Sequence, residues 1–465
     1  MINKKISRAH FLKTGLAAGA GMLWSRLPPA RADQSKRPNI LVVFADDQTY
    51  RAIGYNNSLV LTPNLDRLAG EGLILEHAYV ASPICVASRA SIMTGLFPQQ
   101  HGSVGLDAAG FQKNVVEDKR FPTLAHVLSS AGYDTAFCGK SHLGDPKLYG
   151  FVVGEEHKGF DDTEAFAAAR GFLESRKGND TPFLLWLAAR QPHVPLKPAQ
   201  QWLDLYKDAA LKVDPNFREA PPPESICNQG VPGEHYYRDS TFTDNFKNLP
   251  SGPPRTEAQI IEFMRAYYAM ISHLDHQIGE IMDQLQETGL GDNTIVFYLA
   301  DNGYHLGNHG LGNKITMHEE SVRVPMFVHG AGVNARGQRS KALVSTVDLF
   351  PTLADLAGVP SPPGLWGKSL VPLFSDPETA LRNYMVSECV GVNGKTGQGH
   401  RMVRTDRWKY VLTDTNDEAL FDQLADPYEL DNAIPNEANV PIAKELRTEL
   451  MAWMQEVGDT HAPPR

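Results

Sequence analysis

NILVVFADD, residues Asn39–Asp47, runs through six apolar side chains and stops abruptly at two carboxylates. A continuous apolar run of this length, rich in β-branched residues and without alternation, is the pattern of a strand buried on both faces of a parallel sheet. TIVFYLADN (Thr294–Asn302) repeats it and ends in Asp301 and Asn302. Two strands that both end in oxygen-bearing side chains place those groups at one edge of the sheet, where open α/β folds bind their ligands.

TAFCGK (135–140), FLLWLAA (183–189) and PMFVHG (325–330) read as further buried strands. Between them TPNLDRLAGEG (62–72) and FPTLAHVLSSAGY (121–133) read as helices closed by glycine. The longest helical pattern runs from Thr256 to Thr288, with Ile260, Met264, Tyr267, Ile271, Leu274, Ile278, Ile281 and Leu285 on one face and Gly289 as its stop. The alternation predicts an α/β fold in which a large, mostly parallel or mixed sheet carries helices on both faces. After Arg382 the pattern changes to short strands, NYMVSECV, HRMVRTD, RWKYVLT and EALFDQ, followed by a helix from Pro441 to about Val457. That order predicts a smaller C-terminal antiparallel sheet with one helix, so the expected division is 33–382 for the main domain and 383–465 for the subdomain.

Residues 1–32 read as an export signal. Lys4, Lys5 and Arg8 precede the apolar TGLAAGAGMLW, and small residues end it at Ala30 and Ala32. SRAHFLK (7–13) resembles a twin-arginine motif with Ala9 in the second arginine's place. The apolar run is too short to span a bilayer, so no membrane span is expected and the mature protein is expected to be periplasmic or extracellular. A net charge of −10 excludes a broad nucleic-acid-binding face, so any anion site must be local. Four cysteines, Cys85, Cys138, Cys227 and Cys389, show no metal-ligand spacing and are too few to staple 465 residues. Periodicity is lost between Gln200 and Arg255, where PPPESICNQGVPGEHYYRDSTF reads as a substrate-facing loop or a passive insertion, with Tyr236, Tyr237, Arg238 and Lys247 as candidate lining residues.

The chemistry gathers on CVASRASIMTG, Cys85–Gly95, which places a thiol at the start of a short helix with Arg89 one turn on. A helix start offers unpaired N–H groups to an anion. An isolated cysteine is more often a small buried hydrophobe. Asp46, Asp47, Asp301 and Asn302 form a hard oxygen set suited to calcium or magnesium, although one Asp pair alone is more often a turn or cap. GKSHLG supplies Lys140 and His142, QPHVPLKP supplies His193 and Lys197, and LADNGYHLGNHGLGNK ends in Lys314. His305, His309 and His318 are weaker candidates for substrate contact, since a lone histidine is more often structural.

CVASRASIMTG resembles the signature of the type I, formylglycine-dependent sulfatases of the alkaline phosphatase superfamily, in which Cys, two variable positions and Arg open the motif and Thr-Gly closes it. With TPNLDRLA, EESVRVP (319–325) and ALFDQLADPYELDN (419–432), the resemblance extends from Asn39 to Asn432. The family usually has Pro or Ser two residues after the Cys, where Ala87 stands here. The resemblance implies that a maturation enzyme oxidises Cys85 to formylglycine, and that Asp46, Asp47, Cys85, Asp301 and Asn302 hold one calcium ion. It implies catalytic roles for Cys85, Arg89, Lys140, His142, His193, Asp301 and Lys314. In the family mechanism a hydroxyl of hydrated formylglycine attacks sulfur with the residue at 301 as base, the histidine at 193 protonates the leaving alcohol, and the histidine at 142 serves sulfate release. The activity so implied is hydrolysis of a sulfate monoester, with sulfated carbohydrate as the expected substrate. A phosphate or phosphonate monoester hydrolase of the same superfamily, and an unconverted protein that binds sulfated glycans, remain open at this point.

Overall fold

Strand β1, Asn39–Ala45, lies at the centre of the main sheet with every residue buried. A computed structural model describes residues 37–222, 255–390 and 399–459. The loop candidates Tyr236, Tyr237, Arg238 and Lys247, and the expected export signal, lie outside the described residues. The strands that follow are β2 (Leu73–Tyr79), β3 (Asp134–Gly139), β4 (Val153–Glu156), β5 (Phe183–Ala188) and β6 (Thr294–Ala300). A two-stranded hairpin, β7 (His305–Leu306) and β8 (Gly312–Asn313), precedes β9 (Met326–Gly330) and β10 (Gln338–Ser345).

Eight of these form one sheet in the order β10-β2-β9-β6-β1-β5-β3-β4. β1 pairs in parallel with β5 on one side and β6 on the other, in registers Ile40↔Leu184 and Ile40↔Ile295. Only β9 runs against its neighbours β2 and β6, so the sheet is mixed, as expected. β2, β4 and β10 were not read from the sequence. β10 has an exposed, charged start and a register shift between Ser340 and Leu343, and both weaken the period on which such a reading depends.

The principal helices are α1 (Pro63–Glu71), α2 (Cys85–Thr94), α3 (Leu124–Ser130), α4 (Thr163–Ser175), α5 (Glu257–Glu287), α6 (Leu349–Leu356) and α7 (Val440–Val457). Thr256 and Gln259 cap α5 reciprocally, each side chain meeting the other's backbone N–H, and all eight residues of the expected apolar face are buried. α2 carries almost no amphipathic pattern because all ten of its residues are buried. It lies wholly inside the protein, and this is why its polar residues must find partners there.

The second sheet is antiparallel, β11 (Met385–Cys389), β12 (His400–Arg404), β13 (Trp408–Thr413) and β14 (Glu418–Asp422), and α7 packs against it through Leu446, Leu450, Trp453 and Met454. Phe97, just beyond α2, fits edge-on between Trp366 and Trp453 at 5.4 and 4.8 Å, which ties the end of α2 to the second sheet. No helix among the described residues is long and apolar enough to cross a membrane.

Candidate active site

The strand order makes β6, β1, β5 and β3 neighbours, so their carboxyl ends open on one place. β1 delivers Asp46 and Asp47, β6 delivers Asp301 and Asn302, β3 leads to Lys140 and His142, and β5 leads to His193. Asp47 and His142 have left-handed backbones, φ 65° and 61°, a costly shape for non-glycine residues that persists where surrounding contacts hold it. The Asp47 turn is held by Tyr267 on α5, whose hydroxyl donates to the Asp47 carbonyl and accepts from the Thr49 N–H at 3.2 Å. Tyr267 counted only as an apolar residue in the sequence reading. A buried tyrosine hydroxyl nonetheless requires a partner, and that requirement was the available signal. Gly303 follows Asn302 where a Cβ would collide with the Glu320 carbonyl.

Cys85 opens α2 with 1% of its surface exposed. Lys314 Nζ donates to its sulfur at 2.9 Å and also pairs with Asp47. Burial alone would raise the thiol, but Lys314 and Lys140, with a hydrogen bond from His142, hold it well below the usual thiol range. Arg89, one turn along, donates through Nε to Asp301 Oδ2 at 2.8 Å, lies 3.3 Å from Asp46 through Nη2, and reaches the Lys140 carbonyl through Nη1. Lys140 Nζ itself pairs with Asp46.

His193 is a quarter exposed, donates from Nδ1 to the Val194 carbonyl, and turns Nε2 toward Asp47 Oδ2 at 3.6 Å. Burial opposes its charge, yet Asp47 and Asp46 outweigh burial and raise it above the ordinary histidine value. Asp162 fixes the approach to it by accepting from the N–H groups of Arg190 and Gln191 at 2.8 and 2.9 Å.

Ligand atoms of Asp46, Asp47, Cys85 and His193 lie within 4.8 Å of one another. Asp46 Oδ1, Asp47 Oδ2 and Asn302 Oδ1 are buried without a hydrogen-bond partner among the described residues. Three orphaned oxygens at one place fit a hard cation, because unpartnered buried acceptors are otherwise rare. Asp301 stands outside that close group. Its Oδ1 accepts from the Asp47 N–H at 3.1 Å and its Oδ2 from Arg89, leaving each oxygen one further lone pair. Burial and the adjacent Asp46 push its carboxyl up to about 8 against Arg89.

His305, His309 and His318 are buried and bonded to protein partners. His305 is fully buried and bonds Thr316 Oγ1 at 2.8 Å, and His318 bonds Glu429 Oε2 at 3.1 Å. His309, His318 and Glu429 also bring ligand atoms within 4.8 Å of one another. The two rings, however, stack face to face at 3.8 Å and 12°, and no single ion lies in both ring planes at that geometry. Lys197 is exposed, 5.8 Å from the Phe160 ring centroid.

Residues 38–359 match the family profile described as Sulfatase. The chain belongs to the sulfatase family. As a sulfatase it is a sulfuric ester hydrolase, so the phosphate and phosphonate reading is set aside. Residues 307–456 of the sulfatase also match the profile of the N-sulphoglucosamine sulphohydrolase C-terminal region. It is 26% identical to an ulvan-active sulfatase of Formosa agariphila over 92% of this chain and 83% of that protein. It is 30% identical to a choline-sulfatase of Rhizobium meliloti over 86% and 83%. Among solved structures it is similar to BT4656, determined in complex with its substrate D-glucosamine-2-N,6-O-disulfate, with a TM-score of 0.77, 24% identity and coverage of 91% of this chain and 99% of that one.

Proposed function

We propose that this sulfatase acts through a formylglycine made from Cys85, with one calcium ion beside it, and that it removes sulfate from sulfated carbohydrates after export. One arrangement carries the reading: Cys85, at the first turn of a buried helix, lies among Lys314, Lys140, Arg89, His142 and His193 beside three unpartnered acidic or amide oxygens. So many convergent ionisable groups mark catalysis.

Asp46, Asp47 and Asn302 are the residues that would hold calcium, with residue 85 and Asp301 completing the set. Calcium supplies a hard positive charge that polarises sulfate oxygens. Hydrated formylglycine supplies one hydroxyl to attack sulfur and a second through which sulfate is released. Lys140, Lys314 and Arg89 face the charge that builds on the sulfuryl oxygens, in a buried setting where such contacts are strong. Asp301, each of whose carboxylate oxygens keeps a further lone pair beyond its bond to the Asp47 N–H or to Arg89, accepts the proton at residue 85. His193, whose protonated form Asp47 and Asp46 favour against burial, gives its Nε2 proton to the departing oxygen. His142, bonded to residue 85, takes up the second proton there.

Support for a carbohydrate substrate comes from the relatives, one active on ulvan and one solved with a glucosamine disulfate. The lysine-flanked apolar start of the chain supports export, and the thiol requires a maturation enzyme as partner. The test is sulfate release from a panel of defined sulfated saccharides, run beside choline sulfate and an aryl sulfate. The expected result is the highest kcat/KM on one sulfated saccharide. A preference for choline sulfate would replace the carbohydrate reading.

A further inference from the structure

Lys314 sits on a backbone that its neighbours must hold in place. Asn313 and Ile315, on either side of it, have left-handed backbones, φ 66° and 79°. Asparagine visits that region readily, whereas a β-branched isoleucine stays there only when its surroundings over-determine it. The holding contacts come in part from the same segment: Thr316 bonds His305, and its N–H donates to Ser321 Oγ at 3.3 Å. The rest come from the second sheet and the chain beyond it. Lys409, on β13, donates to the Met317 carbonyl at 2.9 Å and forms ion pairs with Glu319 Oε1 and Glu429 Oε1 at 2.6 Å each. Glu429 Oε2 in turn accepts from the Glu319 N–H at 3.0 Å and meets His318 Nδ1.

Lys409 is fully buried, so its charge meets neither solvent nor substrate. Two carboxylates pair with its charge and the Met317 carbonyl accepts from its ammonium, and a buried cation is kept only where it is paired in this way. Every one of those partners lies on, or bonds directly to, the segment that begins three residues after Lys314. We infer that Lys409 is a positioning residue for the sulfatase reaction: from the C-terminal sheet it fixes the Met317 carbonyl and the Glu319–Glu429 pair, and so seats Lys314 against Cys85 and Asp47. The inference rests on the proposed role of Lys314 in holding sulfate.

The experiment is calorimetric titration of the mature, calcium-loaded protein with inorganic sulfate, with folding checked by circular dichroism and thermal melting. Lys314→Met should weaken sulfate binding about tenfold or more, the scale of one bond to a charged group. Lys409→Met paired with Glu429→Gln, which keeps the buried charge balanced, should weaken it about threefold or more. Glu429→Gln alone should have the smaller effect, since it keeps the Lys409 bond to Met317. The pair added to Lys314→Met should cause no further loss, because a residue acting through Lys314 has nothing left to position. Lys409→Arg, which keeps the charge if the paired variant fails to fold, should shift affinity the same way because a planar guanidinium cannot match the three ammonium contacts. Unchanged affinity in folded Lys409 variants while Lys314→Met loses it, or losses that add fully in the combined variant, would overturn the positioning role. Unchanged affinity in Lys314→Met would instead overturn the sulfate-binding role on which it rests.

Discussion

Arg89 Nε donates to Asp301 Oδ2 at 2.8 Å, joining the helix that begins at Cys85 to the end of the strand that carries the proposed base. The same guanidinium reaches Asp46 and the Lys140 carbonyl, so one planar fork sets the spacing of three other site residues.

A lysine cannot span those three partners from one position, although it keeps the charge. Arg89→Lys should therefore lower kcat/KM by roughly tenfold or more and lower the melting temperature, because Asp301 and Asp46 lose buried partners. Steady-state kinetics and a thermal melt check both, and an unchanged melting temperature would contradict the spacing role.

Calcium that binds only the folded protein should stabilise it by about 2.7 kcal/mol at a hundred times its Kd. Chelation should abolish turnover and lower the melting temperature, and calcium should restore both. Asp46→Ala and Asn302→Ala should lose the calcium-dependent shift, since each removes one orphaned oxygen. Rescue by zinc but not calcium would contradict the donor set.

Help from His193 matters most when the departing oxygen is strongly basic. His193→Ala should cost roughly 10²-fold or more on a sugar sulfate and distinctly less on an activated aryl sulfate. Equal losses on the two leaving groups would remove His193 from the acid role.

The strands that carry the site were legible because each is an uninterrupted apolar run ending in a polar group, a signal that survives without tertiary context. Cys85 and Arg89 were legible through the resemblance of their motif, and the two acidic strand ends through the abrupt stop of each apolar run. Lys409, Glu319 and Glu429 were not read as supports of Lys314. Lys409 stands near the start of a strand, where a lysine reads as solvent-facing, and the contacts with the Met317–Glu319 segment turn it into a buried clamp. The left-handed turns at Asp47, His142 and Ile315 were equally silent, since long-range contacts impose them on residues that do not prefer them.

Glu388, on β11, offers a pH test away from the site. Burial, with Asp459 nearby, pushes its carboxyl up to about 8 against Arg401, while in the unfolded chain it titrates near the ordinary 4.5. Between those values the folded protein holds one more proton than the unfolded chain. This contribution to stability is therefore complete below about 4.5 and is lost as pH rises toward 8, at up to roughly 1.4 kcal/mol per pH unit. Glu388→Gln mimics the neutral acid and keeps an acceptor for the Gln99 N–H. Its melting temperature relative to the unsubstituted protein should rise across that window, and parallel curves would contradict the assignment.

The central claim is that residue 85 is an aldehyde when the enzyme works. Mass spectrometry of the peptide containing residue 85, taken from preparations of differing specific activity, tests it most directly. The account predicts the aldehyde or its hydrate in place of the thiol, in a fraction that rises in proportion to specific activity. A fully active preparation in which residue 85 is entirely unmodified cysteine would contradict it.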